Sequence, residues 1–156
     1  MADFDVAIVG AGVAGSTAAY VCAKAGLSVL LVERGDFPGS KNVTGGRLYG
    51  HSLERIIPGF AEQAPVERRV VKEKISFLTP DAMTTLDYAS FKAPELGGES
   101  YVVLRSLFDR WLAGQAEDAG ASLVTGVRVD ALLRVLLCNP PNGEDRQPYA
   151  FANFPQ

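Results

Sequence analysis

Six residues near the start of the chain, Gly10-Ala11-Gly12-Val13-Ala14-Gly15, carry the spacing G-x-G-x-x-G. Their chemistry is that of a backbone without side chains. A glycine at 10 permits a sharp turn from strand to helix. One at 12 lets a pyrophosphate reach the main chain, and one at 15 lets the helix pack close to the strand. The first N–H groups of the helix, with its dipole, then face two phosphate charges. An acid farther on, Glu33, can accept both hydroxyl hydrogens of an adenosine ribose. The turn does not separate FAD from NAD. The acid disfavours the 2′-phosphate of NADP, which an arginine accommodates, and Arg34 beside it weakens that exclusion.

Other reactive constellations are few. The single His51 leaves no Ser/His/Asp arrangement and no histidine-based metal cluster. It reads as an exposed residue at the start of a helix rather than a tether for a flavin. Two cysteines are too few for a disulfide scaffold or a closed metal site and fit a reducing, cytoplasmic compartment. Cys22 falls among apolar helix residues and is expected to be a small core residue. Cys138 has no partner. Trp111 is expected to pack a helix.

These residues need a fold to hold them. The chain has 156 residues, 47% of them hydrophobic and 21% charged, an ordinary globular composition for about one domain. Fifteen Lys and Arg against eighteen Asp and Glu give a net charge of −3, with no electrostatic footprint for nucleic acid. The charges between Glu67 and Lys74 mix both signs and describe a solvated face rather than a basic patch. Residues 6–23 contain no charge, yet Gly10, Gly12, Gly15, Ser16 and Thr17 interrupt them. A membrane span needs about 20 predominantly apolar residues, and a secretory signal starts with basic residues. Here the start is Met-Ala-Asp-Phe-Asp, so neither is expected.

Phe4 to Val9 is a short apolar run, typical of a strand buried on both faces. Val13 to Ala25 predicts a helix with Ala14, Ala18, Val21, Cys22 and Ala25 on its apolar face, closed by Gly26. Ser28 to Glu33 is a second strand. Together they predict a parallel βαβ unit with a right-handed crossover. Residues 35–50 read as a loop, with five glycines and one proline. A helix over 51–57 stops at Pro58. Strand character follows at 66–79, 83–88 and 101–104. Ser106, with Asp109 three residues on, predicts a helix start. Leu107, Trp111, Leu112, Gln115 and Ala119 then run at helical spacing to Gly120. Ser122 to Thr125 and Val127 to Leu133 are further strand candidates. The rest is rich in breakers: four of the nine prolines lie between 140 and 155.

At this point the residues carry a resemblance. DFDVAIVGAGVAGSTAAY and GLSVLLVERG look like the N-terminal segment of FAD-dependent oxidoreductases of the geranylgeranyl reductase superfamily. KNVTGGRLYGHSLERIIPGFAEQAPVER and SYVVLRSLFDRWLAGQAEDAGA resemble the FixC-type flavoproteins, relatives of electron-transfer-flavoprotein:quinone oxidoreductase. The resemblance covers residues 1 to about 133. It implies FAD as cofactor and an α/β fold: a Rossmann-like FAD-binding βαβ domain, incomplete, with part of an inserted antiparallel β region. It implies that Gly10, Gly12, Ala14 and Gly15 meet the pyrophosphate and that Glu33 and Arg34 meet the adenosine side. Gly45, Gly46 and Arg47 would fall in a loop along the flavin. Arg105 would contact FAD just before a helix, and the backbone at Val129 would meet the adenine. It names no catalytic side chain.

For function, the resemblance implies electrons taken from an electron-transfer flavoprotein and passed to a quinone, through a small ferredoxin-like partner. The location would be cytoplasmic or peripheral at a membrane. The family's later Asp-Gly and Gly-Asp motifs are not in this sequence. The expected division is therefore 1–134 as the N-terminal part of an FAD-binding domain, with 66–104 as its inserted β-rich segment. A proline-rich, disordered tail at 135–156 would follow. Alternatives are a truncated, inactive product, a weak dinucleotide-binding module, or an NAD-binding Rossmann domain.

Overall fold

The computed structural model describes residues 4–89 and 99–132. Strand β1 (Val6–Val9), helix α1 (Val13–Lys24) and strand β2 (Val29–Val32) form the expected βαβ unit. β1 and β2 are parallel, with Val6 opposite Val29 and Val9 opposite Val32. Gly26, at φ +83°, turns the chain after α1, a backbone conformation that costs glycine nothing. A third parallel strand, β8 (Ser122–Val124), lies on the other side of β2, giving the order β1-β2-β8.

The sheet is covered on one face only among the described residues. Helix α4 (Arg105–Asp118) packs beside α1. Ala19 and Ala23 of α1, Ala116 of α4, and Val29 and Leu31 of β2 make one core cluster, with Val6 and Ile8 against it. Alanines let these layers approach closely, so the cluster is thin and tight. The other face leaves Val9 57% exposed and Val124 40% exposed. The expectation that the first strand is buried on both faces is thus corrected, because no second layer among the described residues covers it.

The middle of the chain builds an antiparallel region. β3 (Gly45–Tyr49), β7 (Ser100–Leu104) and β4 (Val66–Arg69) form a sheet in the order β3-β7-β4, with a bulge between Val66 and Arg68. Against it sit α2 (Gly50–Ile56) and α3 (Phe60–Gln63). Leu53, Ile57, Phe60, Val103, Phe108 and Leu112 form the second core cluster. The Phe60 ring meets Tyr101 edge-on at 5.8 Å, a favoured aromatic geometry. β5 (Glu73–Leu78) and β6 (Met83–Tyr88) make a separate hairpin.

Helix α4 joins the two regions. Its Ala116 is buried in the cluster shared with α1, and Phe108 and Leu112 are buried in the antiparallel region. Several expectations change here. The buried side of α1 is Ser16, Ala19 and Ala23, while Ala14, Ala18, Val21 and Ala25 are exposed. Alanines lie on both its buried and its exposed sides, and a serine is buried, so periodicity could not separate the faces. Leu107 of α4 is 46% exposed and Phe108 is fully buried, which turns that face by one residue. The helix begins at Arg105, and no side chain caps it, so Ser106 is not its cap. The loop expected over 35–50 contains β3, and the strand expected over 66–79 is split into β4 and β5. No strand forms over 127–132. The tail expectation for 135–156 lies outside the described residues.

Candidate functional site

The glycine turn sits where β1 hands over to α1. Gly10 has φ +97°, and its N–H donates to the Val32 carbonyl at 2.7 Å. The turn is therefore bonded to the end of the neighbouring strand. A Cβ at Gly15 would overlap the Gly10 carbonyl oxygen and come within 3.3 Å of the Ile8 side chain. Gly15 thus serves close packing. Gly12 is different. A Cβ there would meet only the Arg105 guanidinium, at 4.0 Å, so the space over Gly12 is open. Gly12 is the N-cap of α1 and provides no side-chain cap. The first N–H groups of a helix lack intrahelical partners, so they can donate to an anion.

Glu33 directly follows β2 and reaches back to the turn. One carboxylate oxygen accepts the Ala11 N–H at 2.9 Å and the other accepts the Gly35 N–H at 2.7 Å. Each oxygen has further lone-pair capacity, and Glu33 lines a cleft of about 550 Å³. Besides Glu33, that cleft is lined by Val9, Gly10, Arg34, Arg128, Val129 and others. The segment after β8 is brought there by backbone bonds. Gly126, at φ +73°, donates to the Gly35 carbonyl at 2.9 Å, and Val127 donates to the Glu33 carbonyl at 3.1 Å. Three separately named positions, Glu33, Arg34 and Val129, therefore share one cleft beside Gly10.

Arg105 stands at the other end of the turn. Its Nε and Nη2 donate to the two carboxylate oxygens of Asp109 at 2.8 and 2.9 Å. Asp109 is completely buried and also accepts from Asn42 Nδ2 at 2.8 Å. The Asp109 carboxylate, through this hydrogen bond, holds the Arg105 pKa above its ordinary value. Sequence reasoning saw Asp109 only as a helix-start residue and missed Asn42. The i,i+4 spacing of Arg105 and Asp109 was the available signal.

Gly45, Gly46 and Arg47 lie apart from the cleft, in β3, where Gly45 pairs with Leu104 and Arg47 with Val102. The loop expected there is a strand. Gly46 has open space beside it, whereas a Cβ on Gly45 would come within 3.0 Å of the Val103 carbonyl oxygen. The Arg47 guanidinium pairs with Glu73, donates to Ser100 Oγ at 3.3 Å and stacks on Tyr49 at 4.4 Å. These contacts engage it on the antiparallel side. Ala14 is exposed in the first turn of α1. Cys22 is half-buried against the first core cluster, and Trp111 packs against the second. No helix among the described residues is long and apolar enough to cross a membrane.

Residues 5–91 match the family described as FAD dependent oxidoreductase. The chain belongs to this family of FAD-dependent oxidoreductases. It is 57% identical over 131 residues to protein FixC of Salmonella typhi, a match covering 84% of this chain and 31% of that protein. It is 60% identical over 131 residues to the probable electron transfer flavoprotein-quinone oxidoreductase YdiS of Escherichia coli K12, covering 84% and 30%. The FAD-dependent oxidoreductase chain thus spans about a third of the length of these relatives. Among solved structures, it is similar to a geranylgeranyl bacteriochlorophyll reductase-like protein from Thermoplasma acidophilum. That match has a TM-score of 0.63 and 32% identity over 79% of this chain and 30% of the other. Halogenase PltM, solved with phloroglucinol and FAD, shares the fold at a TM-score of 0.66 and 16% identity, over 86% and 30%. The Rossmann-like α/β class, the FAD family and the FixC resemblance drawn from the sequence all stand.

Proposed function

We propose that this chain supplies the ADP-binding end of the FAD site in a FixC-like flavoprotein. The observation that carries the reading is the shared cleft: Glu33, Arg34 and Val129, distant in sequence, line one space beside Gly10. The residues fit the group. Open N–H donors at the head of α1, a glycine without a side chain at 12, and Arg105 above it suit a diphosphate. The Glu33 carboxylate, fixed by two backbone donors, is aimed to accept ribose hydroxyls. Arg34 flanks the adenosine, and the Val129 backbone meets the adenine. Ala14 and Gly15 complete the turn.

The flavin, when bound, supplies the electron chemistry, while protein residues supply position and electrostatics. Gly45, Gly46 and Arg47 are assigned to the flavin side, Gly46 because its strand edge leaves room for a flat ring. In this reading residues 1–134 are the N-terminal part of the FAD-binding domain and 66–104 its inserted β segment. Residues 135–156 are a tail outside it. The whole protein would take electrons from an electron-transfer flavoprotein and deliver them to a quinone, with a ferredoxin-like partner, at the periphery of a membrane. The names of FixC-like relatives such as YdiS support the flavoprotein and quinone roles.

The test is calorimetric titration of the chain with FAD, ADP and NAD. Binding of FAD and ADP supports the reading. Binding of NAD with neither of the others would overturn it in favour of an NAD module.

A further inference from the structure

We propose that Asp109, anchored by Asn42, is the positioning residue for Arg105 and sets its guanidinium over the phosphate-binding turn. This rests on the diphosphate reading above. A buried carboxylate is costly unless it is paired and hydrogen-bonded. Asp109 is 0% exposed and meets that condition with three donors: Arg105 Nε, Arg105 Nη2 and Asn42 Nδ2. A two-point pair fixes the plane of a guanidinium as well as its place. The pair uses two of the five N–H groups of Arg105. Nη2 faces Gly12, 4.0 Å from where a Cβ would stand. The side chain remains 35% exposed, so it is open to a ligand as well as paired.

Asn42 comes from the segment between β2 and β3, and that segment is held close. Gly39, at φ +85°, lies so near the start of α4 that a Cβ would come within 3.0 Å of the Arg105 carbonyl oxygen and Asp109 Cβ. Phe37 in the same segment lies under the Arg110 guanidinium at 3.9 Å. The acceptor that orients Arg105 is thus itself braced from a second part of the chain. A long arginine fixed before binding loses less freedom on binding. That is the advantage Asp109 gives to an arginine whose charge it partly offsets.

A residue that only staples the loop to the helix would affect every ligand alike. The experiment therefore measures affinity of the 156-residue chain for ADP and for adenosine, which lacks the phosphates. Asp109→Asn keeps the shape but turns an amide N–H2 toward a donor. ADP affinity is expected to fall roughly three- to tenfold, with adenosine unchanged. In an Arg105→Met background, Asp109→Asn should change ADP affinity no further. Asn42→Ala, which leaves the ion pair in place, should give a smaller loss confined to ADP and serves if Asp109→Asn does not fold. Equal losses for ADP and adenosine, or no loss in either variant, would overturn the positioning role. If Arg105→Met weakens ADP while Asp109→Asn and Asn42→Ala do not, the positioning role alone is overturned. If Arg105→Met leaves ADP unaffected, the diphosphate reading falls with it.

Discussion

The Glu33 carboxylate accepts the N–H of Ala11 at 2.9 Å, so the acid that follows β2 is bonded into the turn that follows β1. This has a consequence for the ribose. Glu33→Ala should weaken AMP by about 1.5–3 kcal/mol, the range for hydrogen bonds to a charged group. The wild-type chain should prefer AMP to 2′-deoxy-AMP, and Glu33→Ala should lose that preference. A preference that survives would remove Glu33 from the ribose. Glu33→Gln should not rescue. Both oxygens accept a backbone N–H, so either orientation of the amide sets N–H against N–H.

Gly12 and Gly15 should respond in opposite ways. Gly12→Val places a branched side chain in open space, where its Cβ meets only Arg105. Thermal stability should change little while ADP affinity falls more than tenfold. Gly15→Ala drives a methyl into the Gly10 carbonyl and should lower stability by about 1–3 kcal/mol or more. Denaturant melts with ADP titrations separate the two. A stable Gly15→Ala chain would mean that the helix does not pack as described.

Tyr101 donates to Glu99 at 2.6 Å, and that bond, with burial, pushes the tyrosine pKa up to about 12. The same bond, with Arg69, lowers the Glu99 pKa. A raised tyrosine contributes stability that is fully present below its ordinary value near 10 and is lost as pH climbs toward 12. A lowered glutamate contributes stability that is present above its ordinary value and is lost as pH falls through the lowered one. Absorbance at 295 nm should show one of the five tyrosines ionising late, and Tyr101→Phe should remove that phase. A single ordinary titration near 10 would contradict the hydrogen bond.

The β5–β6 hairpin pairs Ile75 with Leu86 and carries Phe77 and Tyr88 nearby, all more than half exposed. An isolated two-stranded hairpin is marginal in water. Its amides should exchange with solvent far faster than those of β2, which is bonded on both sides and buried at Val29 and Leu31. Equal protection would show that something covers the hairpin.

Much of this was legible in the sequence, for physical reasons. The glycines at 10, 26 and 120 mark bends that the structure makes at positive φ, and the βαβ unit followed from two apolar runs around one helix. The α1 face was not legible, because alanines lie on both its buried and its exposed sides. β3 was not legible because Gly45 and Gly46 have little strand propensity; pairing with β7 makes the strand. Glu33 was named from its place after the glycine turn, and Arg34 and Val129 by resemblance, but the bonds from Gly126 and Val127 that gather them join residues too distant for any local pattern. Asp109 and Asn42 were missed as partners for the same reason: their contact spans 67 positions.

In the proposed reading, the residues around the glycine turn hold the ADP end of FAD, and the chain contributes little to the flavin end. The most direct measurement compares the affinities of the chain for ADP, FAD and FMN in one buffer. ADP and FAD are expected to bind within a few fold of each other, at micromolar Kd or weaker, about −8 kcal/mol. FMN, which lacks the adenosine, is expected not to bind. FMN binding as tightly as FAD, or FAD retained through desalting at nanomolar Kd, about −12 kcal/mol, while ADP fails to compete, would contradict it.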